Sequence, residues 1–93
     1  MAYFIFMKGT KKKTESVSQD PDQLLKVIGR KLTKRRKELG YKNSDDFAYD
    51  TGINRSQYGK YETGRKDMRL STLVKMVNSM GLTIEEFFGG GFD

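Results

Sequence analysis

The chain has no cysteine, no histidine and only one proline. Without cysteine there is no disulfide and no thiolate chemistry, and a reducing compartment suits the chain. Without histidine, the commonest general base and the commonest zinc ligand are both missing. Long apolar runs are also missing. The run Met1–Met7 (MAYFIFM) is far shorter than the ~20 residues of a membrane-spanning helix. It has no basic flank before it and no small-residue cleavage site after it, so it does not read as a signal peptide. The expectation is a soluble, cytoplasmic protein with no membrane partner.

Ninety-three residues suffice for one domain. Twenty-five apolar side chains fall in residues 22–93, enough for a small helical core but not for a deep enclosed cavity. Most cofactor enzymes need such a cavity. The chain is therefore expected to be no enzyme, with no catalytic residues, no cofactor and no metal. Eighteen basic against twelve acidic residues give a net charge of +6 and a pI near 9.6. That balance points to a polyanionic partner, nucleic acid before acidic membrane.

Residues 1–21 differ in composition from the rest and read as an N-terminal extension. An apolar, β-prone segment is followed by the basic Lys8–Lys13 (KGTKKK) and the polar Thr14–Gln19. Two readings stay open: a tail without fixed structure, or a short strand over Tyr3–Met7 that pairs with a partner chain. Translation starting at Met7 is a further alternative.

Residues 22–93 read as an all-α domain of five helices. Asp20-Pro21 fits an N-cap followed by proline at the first helical position. Leu25, Ile28, Leu32, Arg36 and Leu39 recur at helical spacing, opposite a solvated basic face of Lys26, Arg30, Lys31, Lys34, Arg35 and Lys37. Gly40 stops this helix. Asn43 caps a short second helix with Phe47 and Ala48 inside, ending at Gly52. Asn54, with Gln57 three residues on, opens a third that ends at Gly64. Leu70, Leu73, Val74 and Val77 mark a fourth, closed by Gly81. Thr83 and Glu86 form a capping-box signature for a fifth, with Ile84, Phe87 and Phe88 turned inward.

The stretch Ser44–Gly64 (SDDFAYDTGINRSQYGKYETG) carries the functional signal. Two short helices are joined through Thr51-Gly52-Ile53. Ala48 lies four residues before the turn glycine. Two helices packed at close range and near right angles need a small side chain there and a left-handed glycine in the turn. Ile53 plugs the core just before Asn54 caps the next helix.

From Ile28–Gly40 (IGRKLTKRRKELG), Asp45–Lys66 (DDFAYDTGINRSQYGKYETGRK) and Leu70–Phe88 (LSTLVKMVNSMGLTIEEFF), residues 27–88 resemble the Cro/repressor-type (XRE-like) helix-turn-helix family. The resemblance covers about two-thirds of the chain without a gap. It implies five packed helices, the third (54–63) entering the DNA major groove. It implies a structural ion pair between Arg36 and Glu62. It places Arg55, Ser56 and Lys60 toward the groove, Lys42, Asn43 and Ser44 against backbone at the start of the second helix, and Arg65 and Lys66 along the second DNA strand.

Elementary chemistry supports those roles separately. Positions 56 and 60 share one helix face, with 55 at its border and Tyr58 and Tyr61 on the other side. An arginine fork can bond guanine O6 and N7, and a lysine can reach guanine or phosphate. Backbone N–H groups at a helix N-terminus suit a phosphate. Gln57 is either a cap partner or a base reader, and Tyr49 is expected outside. Three departures from the family pattern stand out. Gly59 lies inside the third helix, Met68-Arg69 replaces the usual Pro-Ser before the fourth, and Asp45, Asp46 and Asp50 make the second helix acidic.

The expected function is a sequence-specific double-stranded-DNA-binding transcriptional regulator, of repressor type, acting as a homodimer. Candidate dimer surfaces are Phe87, Phe88 and Phe92 or the Tyr3–Met7 segment. The alternative is an antitoxin-type interaction protein that binds a toxin partner through residues 1–21 and also binds its own operator.

Overall fold

The computed structural model of the protein describes residues 14–89, which form five helices: α1 Pro21–Glu38, α2 Ser44–Thr51, α3 Arg55–Glu62, α4 Leu70–Ser79 and α5 Ile84–Phe88. Tyr3–Met7 and Phe92 lie outside the described residues. Among the described residues there is no strand, and no helix is long and apolar enough to cross a membrane.

Each helix starts where a polar cap can satisfy its free N–H groups. The Asp20 carboxylate accepts from the N–H of Asp22 (3.0 Å) ahead of Pro21. Asn43 accepts from Asp46 N–H at 2.9 Å, and Asn54 from Gln57 N–H at 3.0 Å. Thr83 and Glu86 complete a reciprocal capping box, with bonds of 3.1 and 2.8 Å. The exception is α4, whose N-cap Arg69 makes no side-chain cap bond, as the missing Pro-Ser implies.

The core gathers one stripe from every helix: Ile28 and Leu32, Phe47 and Ala48, Tyr58 and Tyr61, Leu73, Met76, Val77 and Met80, and Phe87. Helix α3 is held between α1 and α2. An aromatic chain runs through this junction. Tyr41 meets Phe47 edge-on with centroids 5.3 Å apart, and Phe47 leans on Tyr58 at 5.0 Å. Such pairs add to the ~1.5–3 kcal/mol of each buried large apolar side chain.

Two expectations from helical spacing are corrected. Leu39 does not extend the inner stripe of α1; it is 41% exposed. The helix ends at Glu38, and Gly40 turns the chain through a left-handed conformation, so Leu39 rotates outward while Tyr41 packs against the core. Arg35 is not simply part of a solvated face. Its Nε donates to the carbonyl of Met80 at 3.0 Å, placing a cation on the C-terminal end of α4 and joining α1 to it.

Candidate nucleic-acid interface

The turn between α2 and α3 is built from four residues. Gly52 adopts φ of +76°, a conformation that side chains with a β-carbon disfavour. Its left-handed turn lets the N–H of Ile53 return to the carbonyl of Ala48 at 2.9 Å. Ala48 is fully buried where α2 meets its neighbours, and Ile53 packs partly buried against the core. Thr51 donates its hydroxyl to the carbonyl of Phe47 at 2.8 Å, which secures the last turn of α2.

The ion pair between α1 and α3 is present and bidentate. Arg36 Nε donates to Glu62 Oε2 at 2.7 Å and its second terminal nitrogen to Oε1 at 3.1 Å. The remaining guanidinium nitrogen donates to the carbonyl of Tyr41 at 2.9 Å, so one side chain ties α1, the loop before α2 and the end of α3. The hydrogen bonds that Arg36 donates to the Glu62 carboxylate raise its pKa further above its ordinary value, against the opposing cost of burial. Tyr58 lies beside this pair, fully buried. Burial first, and the adjacent Glu62 carboxylate second, push its phenol far above the ordinary range. Although the carboxylate is close enough for that, the Tyr58 hydroxyl makes no hydrogen bond of good geometry among the described residues.

With Tyr58 and Tyr61 held inside, α3 turns its other side to solvent. Arg55, Ser56, Gln57 and Lys60 are exposed. Gln57 serves the cap through its backbone N–H, which leaves its side chain free of that task. Among the described residues, Arg55, Lys60, Lys42 and Lys66 form no salt bridge, whereas Arg36 and Arg35 do. Among the described residues, no carboxylate neutralises the cations Arg55 and Lys60 of α3 or Lys42 and Lys66 of the flanking loops.

At the start of α2 the side chain of Asn43 is already engaged. Its Oδ1 accepts from Asp46 N–H and its Nδ2 donates to the Asp46 carboxylate at 3.2 Å. Lys42 is exposed and Ser44 half-buried beside it. The acidic character of α2 is partly absorbed locally, since Asp50 accepts from the Tyr41 hydroxyl at 3.0 Å. That bond raises the Tyr41 pKa. Tyr49 stands 78% exposed. After α3, Arg65 is exposed with its Nε on the Thr63 hydroxyl at 2.9 Å, and Lys66 is half-buried.

Spacing places a helix end at Gly64 but misses two close approaches at glycines that set this geometry. Gly29, in mid-α1, sits against the carbonyl groups of Tyr61 and Glu62, where a β-carbon has no room. A glycine inside a strong helical pattern was the available signal, because it costs about 1 kcal/mol against alanine unless packing requires it. Gly64, at φ of +71°, brings the chain leaving α3 against Lys26, where a β-carbon would fall 2.9 Å from the Lys26 Cα. Gly59 differs from both, since nothing lies within 4 Å of a β-carbon placed there.

The fold and this surface define a helix-turn-helix protein. A sequence model of the helix-turn-helix family matches residues 32–87. The chain belongs to that family, in its XRE-type branch, a family of DNA-binding transcription regulators rather than enzymes. It is 33% identical over 61 residues to the control protein C.MunI of a Mycoplasma species, a match spanning 66% of this chain and 82% of that one. It is 36% identical over 64 residues to the SPbeta prophage-derived HTH-type transcriptional regulator YonR of Bacillus subtilis, spanning 69% of this chain but only 58% of that one. In fold it is similar to the crystal structure of the hypothetical transcription factor NHTF from Neisseria. That superposition has a TM-score of 0.63 at 21% identity and covers 83% of this chain and 87% of the other.

Proposed function

We propose that this DNA-binding regulator reads the major groove with α3, through Arg55, Ser56 and Lys60. Lys42, Ser44, Arg65 and Lys66 hold the phosphate backbone on either side. The carrying observation is that α3 is fixed from behind by buried Tyr58 and Tyr61 while its exposed cations form no salt bridge among the described residues. A rigidly held helix with an uncommitted arginine fork suits a guanine edge. Asn43 contributes by shaping the N-terminus of α2 rather than through its side-chain amide, which Asp46 occupies.

We infer repression as the mode of action, because a protein seated in the groove excludes any other from the same base pairs. The names of the Mycoplasma and Bacillus relatives, a control protein and a transcriptional regulator, agree with a regulatory role. An eight-residue reading helix spans few base pairs. Two copies on half-sites one helical turn apart, about 34 Å, would supply the missing specificity. Phe87 is not available as a dimer contact, being only 5% exposed within the core.

Selection of bound duplexes from a random pool tests the reading. The expected result is an enriched site with two-fold symmetry and half-sites about one turn apart. Binding without enrichment would leave a basic domain that coats DNA without reading it.

A further inference from the structure

A groove of about 370 Å³ opens between the start of α1, the loop after α3 and the start of α4. That volume lies within the ~300–1,000 Å³ of built binding concavities. Its floor is apolar, made by Leu24, Leu25, Ile28, Met68 and Leu73. Leu70 forms its lip and is 70% exposed, so the apolar floor continues to the surface. The charged residues on its lining are both acidic, Asp22 and Asp67, in a chain whose net charge is +6.

We propose that this groove is the docking site of the chain's own N-terminal segment, with Tyr3–Met7 on the apolar floor and Lys8–Lys13 along the acidic rim. Three observations select that occupant. The segment has the matching order of chemistry, seven apolar residues followed by four lysines within the next six. The chain between them is long enough. Lys8 and Pro21, itself on the groove lining, are thirteen residues apart, a reach of up to about 43 Å when extended. Thr14–Asp20 is exposed and in no helix, so no element diverts the connection. A short flexible connection also gives an effective concentration in the millimolar range. That favours the chain's own segment over a second copy present at micromolar concentration. Docking covers an apolar segment whose backbone would otherwise invite pairing between molecules.

Asp67 and Met68 belong to the same loop as Arg65 and Lys66, so a docked segment would also hold the loop that follows α3. The docking itself does not depend on the DNA reading, and its test uses no DNA.

The absence of native cysteine makes the test direct. A spin label is attached to the full chain through Thr10→Cys, outside the apolar run, and broadening of backbone amide signals is measured. The expected result is that Leu24, Leu25, Met68 and Leu70 lose most of their intensity while α2 and the exposed side of α3 keep theirs. Adding Phe4→Asp, or Leu70→Asp at the exposed lip, should restore the signals without changing the melting curve of the helices. Uniform or absent broadening would overturn the proposal. So would broadening of an isotope-labelled, unmodified chain mixed with the spin-labelled one, because the occupant would then be a second copy.

Discussion

Gly29 of α1 lies directly against the backbone carbonyl of Glu62, so α1 and α3 touch main chain to main chain. On the opposite surface of the same helix, Arg55, Ser56 and Lys60 project into solvent. The depth at which α3 sits in the domain is therefore set by a missing side chain on another helix.

Gly29→Ala should destabilise the domain by about 2–3 kcal/mol, because the new methyl group meets backbone and the helices must separate. Gly59→Ala is the matched opposite. It adds a β-carbon in open space within a helix and should stabilise by up to about 1 kcal/mol. Urea unfolding of both variants checks the pair. If Gly59→Ala gains stability yet loses affinity for DNA, the backbone of α3 at that point approaches the duplex closely.

Arg36→Met should cost about 3–5 kcal/mol, since it leaves the buried Glu62 carboxylate unpaired and the Tyr41 carbonyl without its donor. Arg36→Met combined with Glu62→Leu should cost clearly less than the sum of the single changes, because no charge is then stranded. Thermal melts of the three variants measure the coupling. Additive losses would mean that the pair contributes nothing jointly.

Tyr58→Phe should change stability by less than about 1 kcal/mol, since the hydroxyl removed has no hydrogen bond of good geometry. A larger loss would show that the hydroxyl does bond Glu62 in solution. The same variant tests the pH dependence. The folded-state pKa of Tyr58 lies above its unfolded value near 10.0. Its contribution is complete below that pH and declines as pH rises past it, because the unfolded chain releases the proton first. The decline should approach about 1.4 kcal/mol per pH unit for this one group. Tyr58→Phe should flatten the fall in stability above pH ~10.

Arg55 and Lys66 should fail differently on DNA. Arg55→Ala should cost about 1–3 kcal/mol on the preferred site and erase discrimination at one base pair per half-site. Lys66→Ala should weaken binding to preferred and scrambled duplexes by a similar factor and reduce the salt slope by about one unit per half-site. Titrations of both variants on both duplexes over a range of salt separate the roles. Equal loss on both DNAs for Arg55→Ala would mean that α3 does not read bases.

Most of the architecture was legible because its signals are local. Asp20, Asn43, Asn54 and Thr83 announce helix starts through a hydrogen bond made within three residues. Gly40, Gly52, Gly64 and Gly81 announce ends through a backbone conformation that depends on their own lack of a side chain. The alternation of apolar and charged positions then fixes which face of α3 is inward. The proposed reading residues come from the resemblance to the helix-turn-helix family, and phase along one helix, a property of the chain itself, agrees with them in placing Ser56 and Lys60 on one face.

What the sequence could not supply are contacts between segments that lie far apart along it. Spacing puts Leu39 in line with Leu25 and Leu32, but whether α1 is still a helix at that point depends on where Gly40 turns the chain. Arg35 reads as one more surface cation until α4 ends beside it. Gly29 reads as a weak place in a helix until the backbone of α3 fills the space. Caps, turns and amphipathic phase are written within a few residues, where the chain meets itself at fixed geometry. The depth of one helix against another, and which cations are spent inside the fold, depend on residues dozens of positions apart, and only the packed structure brings them together.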